Sequence, residues 1–304
     1  MKKISLLLFL SLVTQLWAAD KPLVVTLHPI LTEMVTDLVG DEVQVEGILP
    51  QGANVHSFEP SPQDMVEMQN AVLIVAMGKH LEPYLDRLKE NLPPTVKIYE
   101  AGRLVPSLQS DPSTAMFACC PVHGLAAIDP HWWQSPEAVR RAVRHLGREL
   151  EKVFPEYKSE IRANTKVRMD ELKELDRWAE EELAAVPKAD RELVTTHTAF
   201  GYFCARYQFQ AVPVRGVNND KDPNPEELAS TLKVLRDRDV KALFPESSAS
   251  ADSLRAIHET SGIPLAKPLD PEFSFEENSD RGYDEVFRQN VLRIKEALIS
   301  SDSQ

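Results

Sequence analysis

Cysteine is scarce in this chain, with only three in 304 residues, at Cys119, Cys120 and Cys204. So few cysteines exclude a small fold held together by disulfides, and the 43% hydrophobic content provides for a packed core instead. Cys204 has two open interpretations, a disulfide with one of the other two or a small core residue on a helix. No cysteine precedes Cys119, which excludes lipid-anchored cleavage near the start.

Basic residues are outnumbered, with 34 Lys and Arg against 47 Asp and Glu, for a formal net charge of −13. A surface this acidic disfavours nucleic-acid binding, because phosphates are attracted by clustered Lys and Arg. It is compatible with cation binding, although net charge alone does not define a site. The composition therefore points away from nucleic acid as a partner.

Long apolar runs are missing after the first twenty residues. The chain opens with Met1-Lys2-Lys3, continues apolar from Ile4 to Trp17 and reaches Ala18-Ala19-Asp20. A basic start, a short apolar stretch and small residues are typical of a secretory signal peptide. We assign residues 1–19 to it, with cleavage after residue 18 or 19, and expect an exported, periplasmic protein.

Strand-like and helix-like segments alternate along the rest of the chain, which predicts α/β lobes with parallel sheets. The expected strands are 23–27, 43–49, 72–77, 96–99, 192–196, 211–214, 242–244 and 265–267. Between them, residues 155–185 contain no glycine and no internal proline, which predicts one helix of about 45 Å. We therefore expect an N-terminal lobe (20–153), a linking helix (154–186) and a C-terminal lobe (187–304), with a surface loop at 105–128.

Three histidines fall where loops meet helix starts, at His56, His131 and His197. Ligands of open α/β sheets bind beyond the carboxyl ends of the strands, and Asp270 and Glu246 follow two further strands. Three imidazoles and a carboxylate form a favourable site for a divalent transition metal. We therefore expect these side chains to lie on the same rim of their lobes and to converge on a metal, with Glu246 as a partner that orients a histidine.

The chain resembles a known family in six motifs, taken in order along the mature sequence. The motifs are His56-Ser57-Phe58-Glu59-Pro60-Ser61-Pro62, Gly78 with Leu81-Glu82-Pro83-Tyr84-Leu85-Asp86, Asp129-Pro130-His131-Trp132, Thr196-His197-Thr198-Ala199-Phe200-Gly201-Tyr202, Pro223-Asn224-Pro225-Glu226-Glu227-Leu228 and Leu269-Asp270-Pro271. They are similar to those of the zinc/manganese solute-binding proteins of ABC importers, the cluster 9 or A-I group. The resemblance implies two Rossmann-like lobes bridged by a rigid helix, with the metal held by His56, His131, His197 and Asp270.

The resemblance also implies a function: capture of Zn²⁺ and delivery to an ABC permease in the inner membrane, which works with a cytoplasmic ATPase. We expect a monomer that is not an enzyme. Three nitrogen ligands favour zinc, and a manganese or mixed zinc/manganese binder is the alternative. The histidine-rich loop common in zinc members is absent, since its place holds only His123 with Cys119 and Cys120. A zinc-dependent hydrolase with Glu246 as base is a remote alternative, because the chain lacks HExxH.

Overall fold

The first half of the chain forms a four-stranded parallel sheet. The computed structural model describes residues 21–50, 52–109, 128–214, 225–247, 252–273 and 282–299, so the expected signal peptide lies outside the described residues. The strands are β1 (Leu23–Thr26), β2 (Gln44–Gly47), β3 (Leu73–Ala76) and β4 (Lys97–Glu100), in the order β2-β1-β3-β4. Strand β3 is buried along its whole length, as expected for a parallel strand covered by helices on both faces.

Most of the helices in this half begin at residues whose side chains cap them. They are α1 (Pro29–Val39), α2 (Pro62–Asn70), α3 (Leu85–Asn91) and α4 (Pro136–Val153). Ser61 caps α2 in a reciprocal capping box with Asp64, and Ser135 caps α4 by accepting the backbone N–H of Ala138. Each of these caps is followed by a proline at the first helical position, so the starts predicted for α2 and α4 are confirmed.

The second half repeats the architecture with a smaller parallel sheet. Its strands are β5 (Glu192–Thr195), β6 (Gln210–Pro213) and β7 (Leu243–Phe244), in the order β6-β5-β7. Residues 265–267, predicted as a further strand, form only one isolated bridge, Leu265 with Leu243, and Leu269 beyond them forms another with Glu246. The prolines at 264 and 268 have no N–H to donate, which prevents a continuous ladder there.

One long helix, α5 (Lys158–Leu183), lies between the two sheets in the chain. It packs against α1 and α4 of the N-terminal lobe and against α9 (Tyr283–Ile299) of the C-terminal lobe. Its 26 residues span about 39 Å. The predicted long helix is therefore confirmed, although it is slightly shorter than the predicted segment 155–185. The architecture of two parallel-sheet lobes joined by a helix is therefore confirmed, while the lobe boundaries stay predictions.

The remaining helices complete the C-terminal lobe: α6 (Gly201–Tyr207), α7 (Pro225–Asp237) and α8 (Asp252–Ser261). Cys204 is buried in the core on α6 and has no disulfide partner among the described residues, while Cys119 and Cys120 lie outside them, so a disulfide with either stays untested. Residues 110–127, which include most of the predicted surface loop, lie outside the described residues. Within the described ranges, none of the helices combines the length and the apolar character needed to cross a bilayer.

Candidate metal centre

Four side chains from both lobes meet in the cleft: His56, His131, His197 and Glu272, termed here the ligand cluster. His56 lies in the turn between β2 and α2, and His131 precedes the short 3₁₀ turn that leads into α4. His197 follows β5, at the point where the strand order of the second sheet reverses. The structure thus brings the three predicted histidines together, each offering one ring nitrogen.

The separations within the ligand cluster are those of a small four-coordinate site. The Nε2 atoms of His56 and His131 are 3.3 Å apart. Glu272 Oε1 lies 3.6 Å from Nε2 of His56, 3.8 Å from that of His131 and 3.4 Å from that of His197. Ligands about 2.0–2.1 Å from a tetrahedral zinc ion stand about 3.3 Å from one another, and these four separations approach that value, while all four ligand atoms lie within 4.8 Å of one another.

Two further carboxylates fix the orientation of the imidazoles. Asp129 Oδ1 is 2.8 Å from Nδ1 of His131 and accepts its backbone N–H, while Glu246 Oε2 is 2.5 Å from Nδ1 of His197. Glu246 also accepts the backbone N–H of His197 at 3.0 Å. With the proton held on Nδ1, Nε2 keeps a lone pair for a metal. Gly201 leaves room for Asp129, since a Cβ there would overlap its Oδ2.

Asp270, the carboxylate predicted as the fourth ligand, is not brought into the ligand cluster; Glu272, two residues later, takes that place. The backbone N–H of Asp270 donates to Oδ1 of Asn290, and its carbonyl accepts from Nδ2 of the same side chain. Asn290 belongs to α9, so this pair of bonds fixes the backbone of Asp270 to that helix. Glu272 is therefore the carboxylate that the structure places beside the three histidines, while Asp270 as a ligand stays a prediction.

Glu272 is turned toward the cleft by contacts of the residue before it. The carbonyl of Pro271 accepts hydrogen bonds from Nε1 of Trp133, at 2.8 Å, and from Nε2 of Gln134, at 2.6 Å. These bonds join the two lobes directly beside the ligand cluster. Glu272 is 7% exposed, and among the described residues neither of its carboxylate oxygens has a hydrogen-bond partner. A buried carboxylate is costly unless a positive charge compensates it, and a bound cation or a protonated histidine of the cluster would offset that cost.

The charges of the cluster are strongly coupled. Burial alone would lower the pKa of His197, but the carboxylates of Glu246 and Glu272 raise it to about 10. Burial lowers the pKa of His56, and Glu272 opposes this effect. Burial would raise the pKa of Glu272, but the histidines around it lower that pKa well below its usual range. Without a metal, a proton on His197 balances the charge of the carboxylates, and the same position suits a cation.

Sequence reasoning missed the roles of Asp129 and Glu272 in the site. Asp129 had a signal in the sequence, because an acid two residues before a histidine can reach its ring. His28, the residue after Leu27 at the end of the first predicted strand, is 1% exposed and interacts electrostatically with Glu272, His56 and His131.

Known proteins with this architecture bind metals. The family model described as "Zinc-uptake complex component A periplasmic" matches residues 24–297. The chain therefore belongs to this family of periplasmic metal-binding components of ABC importers. Because these are solute-binding proteins and not enzymes, the hydrolase alternative is discarded.

Individual relatives are named for different metals. The manganese-binding lipoprotein MntA of Bacillus subtilis (strain 168) is 26% identical over 288 residues, covering 92% of this chain and 91% of the relative. The high-affinity zinc uptake system protein ZnuA of the same organism is 25% identical over 285 residues, covering 92% and 88%. The fold is that of the periplasmic zinc-binding protein TroA from Treponema pallidum, with a TM-score of 0.81 and 22% identity over 91% of this chain and 99% of that one.

Proposed function

We propose that this protein captures Zn²⁺ in the periplasm and delivers it to an ABC permease in the inner membrane. The proposed ligands are Nε2 of His56, His131 and His197 with one oxygen of Glu272, and Glu246 orients His197. In this proposal, residues 1–19 direct export and are removed. The mature protein is a monomer, divided into lobes at 20–153 and 187–304 around a linking helix at 154–186.

The size of the ligand cluster supports zinc. Three imidazole nitrogens and one carboxylate oxygen stand 3.3–3.8 Å apart in the measured pairs, which suits a tetrahedral ion. Manganese is harder and is usually held by more oxygen ligands in an octahedral arrangement. A manganese-binding function is the second candidate, because the relative MntA carries that name and covers nearly the whole chain.

The ligand cluster also supports metal capture because both lobes contribute side chains to it. His56 and His131 belong to the N-terminal lobe, and His197 and Glu272 belong to the C-terminal lobe. A bound ion therefore cross-links the lobes, and any separation of the lobes would break coordination. This arrangement suits a carrier that must release its cargo to another protein.

Thermal unfolding with added metals tests this proposal. A ligand that binds only the folded protein stabilises it by about 2.7 kcal/mol at a hundredfold excess over Kd. We expect Zn²⁺ to raise the Tm of the mature protein more than Mn²⁺ at equal concentration, with a stoichiometry of one. A larger Tm shift with Mn²⁺ would identify manganese, and not zinc, as the captured metal. No Tm shift with either ion would refute metal capture.

A further inference from the structure

A tyrosine of the C-terminal lobe, Tyr202, binds the backbone of the other lobe. It belongs to the first turn of α6, shortly after His197 in the chain, and it is buried. Its hydroxyl donates to the carbonyl of Pro106 at 2.8 Å and accepts the backbone N–H of Leu108 at 3.1 Å. Both partners lie in the segment that follows β4 of the first sheet, so these two hydrogen bonds connect the lobes.

Leu108 in turn holds Asp129, the residue whose carboxylate orients His131. The carbonyl of Leu108 accepts the backbone N–H of Asp129 at 2.9 Å. Oδ1 of Asp129 accepts the backbone N–H of His131 at 2.9 Å and lies 2.8 Å from Nδ1 of the same residue. An unbroken series of hydrogen bonds therefore runs from the hydroxyl of Tyr202 to the ring of a proposed metal ligand.

The residue before Tyr202 confines the same carboxylate by packing. Gly201 lies so close to Asp129 that a Cβ built on it would stand 2.2 Å from Oδ2 of Asp129 and 3.1 Å from Cδ2 of Leu108. Asp129 is 1% exposed, and within the described ranges its Oδ2 has no hydrogen-bond partner. The first turn of α6 thus limits the rotation of this carboxylate, so a shift of α6 would change the position of Asp129.

We propose that Tyr202 is a positioning residue of the metal site, which acts on His131 through Leu108 and Asp129. With Asp129 held in place, the ring of His131 keeps the orientation in which Nε2 faces the ion. Tyr202 belongs to the C-terminal lobe, and the residues it acts on belong to the N-terminal lobe. Separation of the lobes therefore breaks both hydrogen bonds of Tyr202 and loosens His131 while the other ligands draw apart. This inference rests on the proposed metal capture and gives Tyr202 a role in retaining the ion.

The substitution Tyr202→Phe tests the proposal, because it deletes only the hydroxyl and keeps the buried ring. Tyr207→Phe is the matched control, since Tyr207 is also a buried tyrosine of α6. Its hydroxyl donates at 2.9 Å to Asp176, a residue of α5 outside the ligand cluster. Asp129→Ala provides a background in which Tyr202 has no carboxylate left to position. The double variant of Tyr202→Phe and Asp129→Ala shows whether the two effects are coupled.

Each mature variant is compared with the wild type in zinc affinity, zinc dissociation rate, the absorption spectrum with Co²⁺ and the Tm without metal. We expect Tyr202→Phe to weaken zinc binding by about three- to tenfold, the range for one lost hydrogen bond, mainly through faster dissociation. It should also shift the Co²⁺ spectrum. In the Asp129→Ala background, the same substitution should change the affinity by less than about twofold. Tyr207→Phe should lower the Tm and leave the zinc affinity and the Co²⁺ spectrum at their wild-type values.

A further measurement needs no metal: the NMR signal of the Nδ1–H of His131, a fully buried ring, reports on its bond to Asp129. This signal should shift or broaden in Tyr202→Phe and stay unchanged in Tyr207→Phe.

The inference is overturned if Tyr202→Phe leaves either the zinc affinity or this NMR signal at its wild-type value. It is also overturned if Tyr202→Phe weakens zinc binding equally with and without Asp129, because Tyr202 then only holds the lobes together. Equal effects of Tyr202→Phe and Tyr207→Phe would overturn it as well. If the wild type binds no zinc, the proposed metal capture itself fails, and the NMR signal still decides whether Tyr202 positions His131.

Discussion

Replacing Glu272 by glutamine tests which carboxylate holds the metal. The amide keeps the shape of the side chain and removes its charge, so the fold should persist. Glu272 Oε1 lies 3.4–3.8 Å from ring nitrogens of His197 and His131, and in the empty site the carboxylate is balanced by a proton on His197. The matched variant is Asp270→Asn, at the position that the family resemblance indicated.

The magnitude follows from the charge interaction. Two unit charges 4 Å apart at an effective permittivity of 20 interact by about 4 kcal/mol. The dipositive ion is attracted more strongly, and the desolvation of the buried carboxylate of Glu272 offsets part of the gain. We therefore expect Glu272→Gln to weaken Zn²⁺ binding by about a thousandfold, since each 1.4 kcal/mol is a factor of about ten.

Competition with chelators of known zinc affinity measures the change, and circular dichroism checks the fold. Asp270→Asn should change the affinity by less than about tenfold, because its backbone contacts with Asn290 do not use the carboxylate. If Asp270→Asn loses more zinc affinity than Glu272→Gln, the assignment of Glu272 is refuted and Asp270 regains its place as ligand.

Two further predictions follow from the hydrogen bonds and pKa shifts of the site. Asp129→Asn and Glu246→Gln should each lower zinc affinity about 10–100-fold, because each removes a carboxylate that orients a histidine. The Tm in the absence of metal is measured alongside as a check on the fold. Unchanged zinc titrations in both variants would exclude an orienting role. The pKa of His197 is raised to about 10 from 6.5, so its charge stabilises the metal-free fold below pH 6.5, and this stability is lost as pH rises toward 10. Zinc must displace that proton, and calorimetric titrations near pH 7.5 in buffers of different ionisation enthalpy should show release of about one proton; release of none would contradict the assignment.

Much of the fold follows from local signals in the sequence. The caps Ser61 and Ser135 with their following prolines determine where α2 and α4 begin, and uninterrupted helix-forming residues define α5. The placement of the three histidines where loops meet helix starts could also be predicted, and His197 follows β5 at the carboxyl edge of its sheet. The prediction of a strand at 265–267 was wrong, although the prolines on either side of that segment were visible in the sequence.

The carboxylate of the site depended on contacts that no local pattern contains. Asp270 and Glu272 are two residues apart, and both are acids beyond the last segment of the second sheet. The choice between them depends on Asn290, which fixes the backbone of Asp270, and on the N–H groups of Trp133 and Gln134, which donate to the carbonyl of Pro271. Trp133 and Gln134 precede Pro271 by 138 and 137 positions, so their contact exists only once the lobes have met. The same contact completes the ligand cluster and joins the two lobes, and for that reason the proposed fourth ligand, Glu272, could be found only in the folded protein.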